Sequence, residues 1–329
     1  MCIAEMAHIL LPWLLSLIFI GSSAGPTLSW QPGPDGRLAV IANKNFRAGE
    51  VVERCYCLPV EKTHIPSSAQ LLPEYLFRSA AALLFPFGWA LLYNRAAREG
   101  DHNVSCAHEV RKDRQGKVRH YVLLRARMEV LQNTELLLSC SSVAGGMPSV
   151  ALEACGARPP KPYMSEPFDF VDGVLPYSTG LKVKYSKLHG NGVYAQKAFK
   201  EGEMVEFAPS VLLMNTEMGG LLADYRYSAE SLREGLFRVV LGCGSIYNHS
   251  AVPNLGYRRV RVDGTSEAVQ GLSVCYYAKR DIAAGEEMLI SYGKTWWSSR
   301  GIHDATAAAQ LLLPSSSSLS PSEGSDIRC

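Results

Sequence analysis

Short runs of alternating apolar and polar residues recur along the chain, each closed by a Gly-Glu or Asp-Gly step. Gly49-Glu50, Gly202-Glu203 and Gly285-Glu286 end such runs, the punctuation of strand–turn–strand pieces. Asp263-Gly264 separates the strand-like runs 257–262 and 268–278, and residues 113–116 hold the matching place earlier in the chain, so both predict hairpins. Helical periodicity is short, clearest over 217–225. The pattern predicts a mainly β fold of small sheets with short helices. Residues 142–180 are rich in Gly, Pro and Ser and read as a linker, and residues 299–329 read as a disordered low-complexity tail.

The chain also resembles itself. Residues 40–53 (VIANKNFRAGEVVE) align without a gap on residues 193–206 (VYAQKAFKEGEMVE). LLPEYLF at 71–77 answers LLADYRY at 221–227, and GWALLYN at 88–94 answers GCGSIYN at 242–248. RARMEVLQNTELLLSC at 125–140 answers YAKRDIAAGEEMLISY at 277–292. Four blocks in one order predict a single supersecondary plan used twice, over residues 25–141 and 181–298.

Composition narrows the function classes. The 329 residues are 47% hydrophobic, enough to fill a core. Lys plus Arg number 33 against 31 for Asp plus Glu, which argues against a broad phosphate-binding surface, so no direct nucleic-acid partner is expected. Arg258, Arg259 and Arg261 read as solvated strand positions. No C-x-x-C pair occurs among the nine cysteines; Cys55/Cys57 and Cys106/His108 are the closest hints of a metal site, and scattered buried thiols are expected instead, with no metal. Residues 9–20 are continuously apolar and followed by small residues, so residues 1–24 read as a signal-peptide-like leader, although no Lys or Arg precedes the run. That suggests a secretory or endomembrane route; an anchor leaving the catalytic part cytosolic, or an intracellular protein, are the alternatives. Membrane association is expected only through residues 9–20.

Three further segments carry chemistry. Residues 188–195 contain Gly190-Asn191-Gly192 opening a strand; Tyr247-Asn248-His249-Ser250 is followed by Pro253-Asn254; residues 278–293 read AKRDIAAGEEMLISYG. In this order and spacing they resemble the opening, N-H-S…P-N and closing segments of the SET domain family. The resemblance covers the second half well and the first half only in degraded form. It implies the SET-type β-clip fold, S-adenosyl-L-methionine as cofactor, and methyl transfer to a lysine of a protein or peptide.

Residue chemistry runs alongside. Gly190 and Gly192 lack the Cβ atoms that would keep a bulky donor from the backbone, with Asn191 between them. By resemblance Asn248 orients the donor's polar tail and His249 lies near its adenine; Tyr292 is the catalytic residue, a phenol able to orient a neutral amine. Glu287 is expected to fix the fold by hydrogen bonds and Glu286 to be a solvated turn residue. Tyr225, Tyr227 and Trp296 are expected in an aromatic lysine channel, which Trp296-Trp297 would cover. Asn248 and Asn103 also sit in N-glycosylation sequons; a glycan on Asn248 would keep the site from closing, whereas Asn103 has no such conflict. In the first half Arg37-Leu38-Ala39 stand for Gly190-Asn191-Gly192, Arg95 for His249 and Cys140 for Tyr292, so that half is expected to be chemically degenerate. The alternatives are a non-catalytic protein-binding module, or methyl transfer to another side chain such as histidine.

Overall fold

The computed structural model describes residues 25–33, 38–69, 72–78, 82–98, 100–112, 116–138, 150–151, 178, 180–217, 219–228, 235–261 and 272–298. The expected leader and tail, and most of the expected linker, lie outside them.

The first half opens with a hairpin, β1 (Leu28–Pro32) and β2 (Leu38–Ala42). A six-stranded sheet follows, built from β3 (Val51–Val60), β4 (Phe77–Arg78), β5 (Leu83–Pro86), β6 (Val104–Lys112), β7 (Val118–Ala126) and β8 (Val150–Ala151). Its order is β6-β7-β3-β5-β4-β8. β8 falls inside the expected linker, where it pairs in parallel with β4.

The second half comprises β9 (Leu181–Tyr185), β10 (Asn191–Ala195), β11 (Met204–Met214), β12 (Tyr227–Ser228), β13 (Leu236–Val240), β14 (Asn248–His249), β15 (Leu255–Arg261), β16 (Leu272–Ala278) and β17 (Glu287–Ile290), then the short helix α1 (Lys294–Ser298). One sheet runs β15-β16-β11-β13-β12 and the other β14-β17-β10-β9. The expected hairpin is present as β15–β16, with Arg261 opposite Leu272, and β6–β7 is its counterpart, with Lys112 opposite Val118. The helical signal over 217–225 is realised as 3₁₀ turns at Asn215–Glu217 and Gly220–Tyr225. Such short tight turns suit a chain that must reverse between strands rather than present a face over many residues.

The five strands β6, β7, β3, β5 and β4 follow the same order as β15, β16, β11, β13 and β12. β3 and β11 each carry a register shift at the same place, between Val51 and Glu53 and between Met204 and Glu206. Each shift turns a glutamate into the interior. The Glu53 carboxylate accepts the Trp89 N–H at 2.6 Å; the Glu206 carboxylate accepts the Cys243 N–H and the Tyr247 hydroxyl, both at 2.8 Å.

The two halves share one core. Val211, Leu213, Leu222, Val239 and Leu241 of the second half pack with the first-half cluster, while Ala208, Val240, Val274 and Tyr276 belong to a separate second-half cluster. Alternation along β11 and β13 produces this division, since successive side chains point to opposite faces. Trp30 stacks on Phe207 at 5.3 Å, and the Gly242 N–H donates to the Phe87 carbonyl at 2.7 Å. Cys55, Cys57, Cys106 and Cys243 are buried free thiols as expected; Cys275 is buried but disulfide-bonded, which departs from that expectation.

Burial pushes the Glu53 and Glu206 carboxyls up from 4.5 to about 7. Below pH 4.5 both the folded and unfolded chains hold these protons; between 4.5 and 7 only the folded chain does. Stability therefore falls as pH rises through that window and levels off above it. Glu206→Gln should flatten the fall by on the order of 2–3 kcal/mol, read as chemical-denaturation stability at pH 5 and pH 8. An unchanged slope would mean that the buried carboxyl does not retain its proton.

Candidate active site

The opening strand is held by a hairpin turn over 186–190. The Ser186 N–H donates to the Gly190 carbonyl at 2.8 Å, and Gly190 adopts φ +53°, a left-handed conformation that glycine takes without strain. A Cβ at Gly190 would meet no atom within 4 Å, so its outer side is open. Gly192 has a different reason. A Cβ there would lie 2.2 Å from Glu287 Oε1 and 3.0 Å from Ser186 Cβ. This glycine makes room for a protein carboxylate.

That carboxylate is the hub of the site. Glu287 accepts from the Ser186 hydroxyl, the Tyr194 hydroxyl and the Asn248 amide, each at 2.9 Å. The same Asn248 amide donates to the Asn191 carbonyl at 3.0 Å, tying the Asn-His strand β14 to the glycine turn. β14 lies parallel to β17, with Asn248 opposite Leu289 and His249 opposite Ile290. Asn254 clamps the far side, its amide donating to the Glu287 carbonyl at 2.8 Å and its oxygen accepting the Leu289 N–H at 2.7 Å. Glu286, expected to be solvated, is half-buried; it accepts from Asn254 at 3.0 Å and pairs with Arg280. The Asn254 amide and the Arg280 guanidinium together draw it into the clamp.

Tyr292 follows directly. Its N–H donates to His249 Nδ1 at 3.1 Å and its hydroxyl donates to the Tyr247 carbonyl at 2.9 Å. Its ring lies 5.2 Å from His249 and 4.9 Å from Trp296, while Trp297 packs 4.9 Å from His249. Burial, then the nearby Glu287 charge, pushes the Tyr292 phenol up to about 12. Tyr227 donates to the Gly244 carbonyl at 2.8 Å and accepts from Tyr276 at 3.1 Å. Trp296 Nε1 donates to the Asp224 carbonyl at 3.1 Å, which ties α1 to the turn bearing Tyr225. Tyr292 contributes to the raised pKa of both Tyr225 and Tyr227, for which burial is the larger cause, so the three phenols are neighbours. The structure thus brings Asn191, Gly192, Asn248, His249, Tyr292, Tyr225, Tyr227 and Trp296 into one region, with Gly190 at its open edge.

The profile of the SET domain matches residues 190–293, the span bounded by the glycine turn and the closing tyrosine segment. Residues 190–293 are a SET domain. The SET segment resembles a histone-lysine N-methyltransferase, H3 lysine-37 specific, from Schizosaccharomyces pombe, with 26% identity over 139 residues, 41% of this chain and 84% of that protein. It is also similar to the solved structure of a candidate histone methyltransferase from Plasmodium falciparum, with 31% identity over 36% of this chain and 98% of the other, at a TM-score of 0.32.

The SET clamp has a counterpart in the first half. Asn94 donates to Glu135 at 2.8 Å and to the Leu38 carbonyl at 3.3 Å, as Asn248 does to Glu287 and Asn191. Asn103 donates to the Glu135 carbonyl at 2.8 Å and accepts the Leu137 N–H at 2.8 Å, as Asn254 does around Glu287. The bridges Ile41–Glu135 and Arg95–Leu138 match the pairs Tyr194–Glu287 and His249–Ile290. Both sequon asparagines are therefore internal, Asn248 at 6% and Asn103 at 8% exposure. The Asn103 amide, like that of Asn248, is committed to its clamp.

Gly192→Ala should displace Glu287 and lower stability by about 2–4 kcal/mol, whereas Gly190→Ala, with open space around it, should cost about 1 kcal/mol. Thermal melting of the two variants checks this ordering, and equal losses would remove the role given to the carboxylate.

Proposed function

We propose that residues 181–298 transfer a methyl group from S-adenosyl-L-methionine to a lysine side chain of another protein. The carrying observation is the convergence of Tyr292, His249, Asn248 and the glycine turn beside Glu287. The histone-lysine specificity named for the yeast relative supports a protein lysine as acceptor.

The residues fit such a donor. The Gly190 turn is open on its outer side, and His249 is half-buried between the Tyr292 and Trp297 rings. The backbone of Gly190, Asn191 and Gly192, together with Asn248 and His249, would hold it. Bound there, it would supply a methyl group on a sulfonium. Tyr292 serves the acceptor. Its hydroxyl hydrogen is engaged by the Tyr247 carbonyl, leaving oxygen lone pairs free to accept from a neutral amine. Tyr292 is a phenol near neutral pH, as any tyrosine of ordinary pKa is, and burial moves it further in that direction, so no phenolate competes with the amine for the methyl group. The rings of Tyr225, Tyr227 and Trp296 suit the aliphatic stem of a lysine and the cation at its end.

The first half is read as a repeat of the same plan, with the chemistry removed. It keeps the Asn94–Glu135–Asn103 clamp, but Leu38 and Ala39 stand at the glycine turn and Arg95 at the histidine. Residues 25–141 therefore form a supporting module.

Labelled-donor transfer to lysine peptides, with calorimetry of donor binding by the full chain, tests the function. Tyr292→Phe should lower kcat by about a hundredfold while leaving donor affinity within about twofold. A folded protein that binds no S-adenosylmethionine would defeat the reading, and equal losses in kcat and affinity would deny Tyr292 its role.

A further inference from the structure

The turn that bears Tyr225 is mounted on the first half. Tyr225 closes the 3₁₀ turn Gly220–Tyr225, whose few residues give a ring little support of their own. Three first-half residues hold that turn. The Leu72 N–H donates to the Glu217 carboxylate at 3.3 Å, and the same carboxylate accepts the Met214 N–H at 2.9 Å. Gly219 and Gly220 lie against His64. A Cβ at Gly220 would stand 2.7 Å from His64 Nδ1, and φ of +57° there also favours glycine. Phe87 packs its ring 4.2 Å from that of Tyr225. Burial pushes the Tyr225 phenol up, and Tyr56 of the first half and Tyr292 of the second add to the rise, so Tyr225 lies between the halves.

Phe87 is itself fixed. It is fully buried, its N–H donates to the Tyr56 carbonyl at 2.9 Å, and its ring lies 5.7 Å from Phe85 and 6.0 Å from Tyr56. Its carbonyl accepts the Gly242 N–H at 2.7 Å, at the head of the turn Gly242–Ser245. In that turn the Gly244 carbonyl accepts the Tyr227 hydroxyl. The ring and the carbonyl of one first-half residue thus support both tyrosines assigned above to the acceptor. Trp296 joins them, because its Nε1 donates to the Asp224 carbonyl in the Tyr225 turn. The donor side is mounted differently: Glu287 gathers Ser186, Tyr194 and Asn248, all of the second half.

We propose, on the methyltransferase reading above, that Phe87 is a positioning residue for the acceptor lysine, holding the Tyr225 ring where it flanks the lysine stem. Packed rings have preferred offsets and tilts, so a fixed ring on one side restrains the ring on the other. On this account the first half governs acceptor binding, while donor binding belongs to the second half.

Phe87→Leu removes the ring and leaves an apolar side chain and both backbone bonds. The test uses the full chain, labelled S-adenosylmethionine and an arrayed set of lysine peptides. Phe87→Leu should raise KM for the best-labelled peptide about tenfold, the size of a lost ring pair, while donor Kd by calorimetry stays within about twofold. Phe46, buried in the same cluster but bridged to Val130, is the structural control. Phe46→Leu should lower Tm to a similar degree and leave peptide KM unchanged. In a Tyr225→Leu background the Phe87 change should add nothing further to KM, because its effect passes through that ring. If Phe87→Leu does not fold, Phe87→Met is read in its place. An unchanged KM, equal losses of peptide and donor affinity, the same rise in Phe46→Leu, or additive effects with Tyr225→Leu would each overturn this inference alone. A folded wild-type chain that binds no donor would instead bring down the methyltransferase reading and this inference with it.

Discussion

A half-buried carboxylate holds this site together. Glu287, on the closing strand, collects hydrogen bonds from Ser186 and Tyr194 of the opening hairpin and from Asn248 of β14. Hydrogen bonds to an ionised carboxylate are stronger than neutral ones, and stranding a partner costs more than the bond contributed. The carboxylate thus fixes the glycine turn, the asparagine strand and the closing strand against one another. Tyr292 lies five residues beyond Glu287, and its position follows from that of β17. The arrangement of the candidate site residues is thus inherited from a structural bond.

The first half separates scaffold from chemistry. Glu135, Asn94 and Asn103 repeat the clamp with the same donors and acceptors, and Asn133 at φ 64° takes the place of Gly285 at φ 87° in the turn before it. Among the described residues no hydroxyl in the first half corresponds to that of Tyr194, since Ile41 holds its place. Ala39 stands where Gly192 does, so the close approach between backbone and carboxylate seen in the second half is not required. Two amide clamps suffice to close the fold; the extra hydroxyls accompany the half that retains histidine and tyrosine.

Much of this was legible in the sequence, and the omissions have physical causes. The strands, the two hairpins and the family resemblance follow from alternation and turn residues, which are local. The candidate residues converge because their motifs straddle strands that must pair. The purpose of Gly192 was not legible: a glycine in such a turn looks alike whether it admits a ligand or a carboxylate 95 residues away. The part played by Tyr56 and Phe87 was also hidden, because their place beside Tyr225 depends on how two sheets pack. Glu53 and Glu206 sit in aligned blocks, yet only a register shift turns them inward, and an alternating pattern does not announce a bulge.

The shared core explains why a chemically altered repeat persists. Val211, Leu213 and Val239 form an apolar face of the second half whose cover is the first-half cluster. Each fully buried side chain of this kind contributes roughly 1.5–3 kcal/mol, so exposing the face would cost a large share of a domain's stability. The same contact places Phe87 against Tyr225. Residues at the first-half counterpart of the glycine turn can drift without consequence for that packing, whereas residues on the covering face cannot. Retention of the clamp follows, since Glu135 and its asparagines hold the first-half strands in the arrangement that presents the covering face. The first half is therefore constrained by the packing of its neighbour even where its residues differ from those of the SET segment.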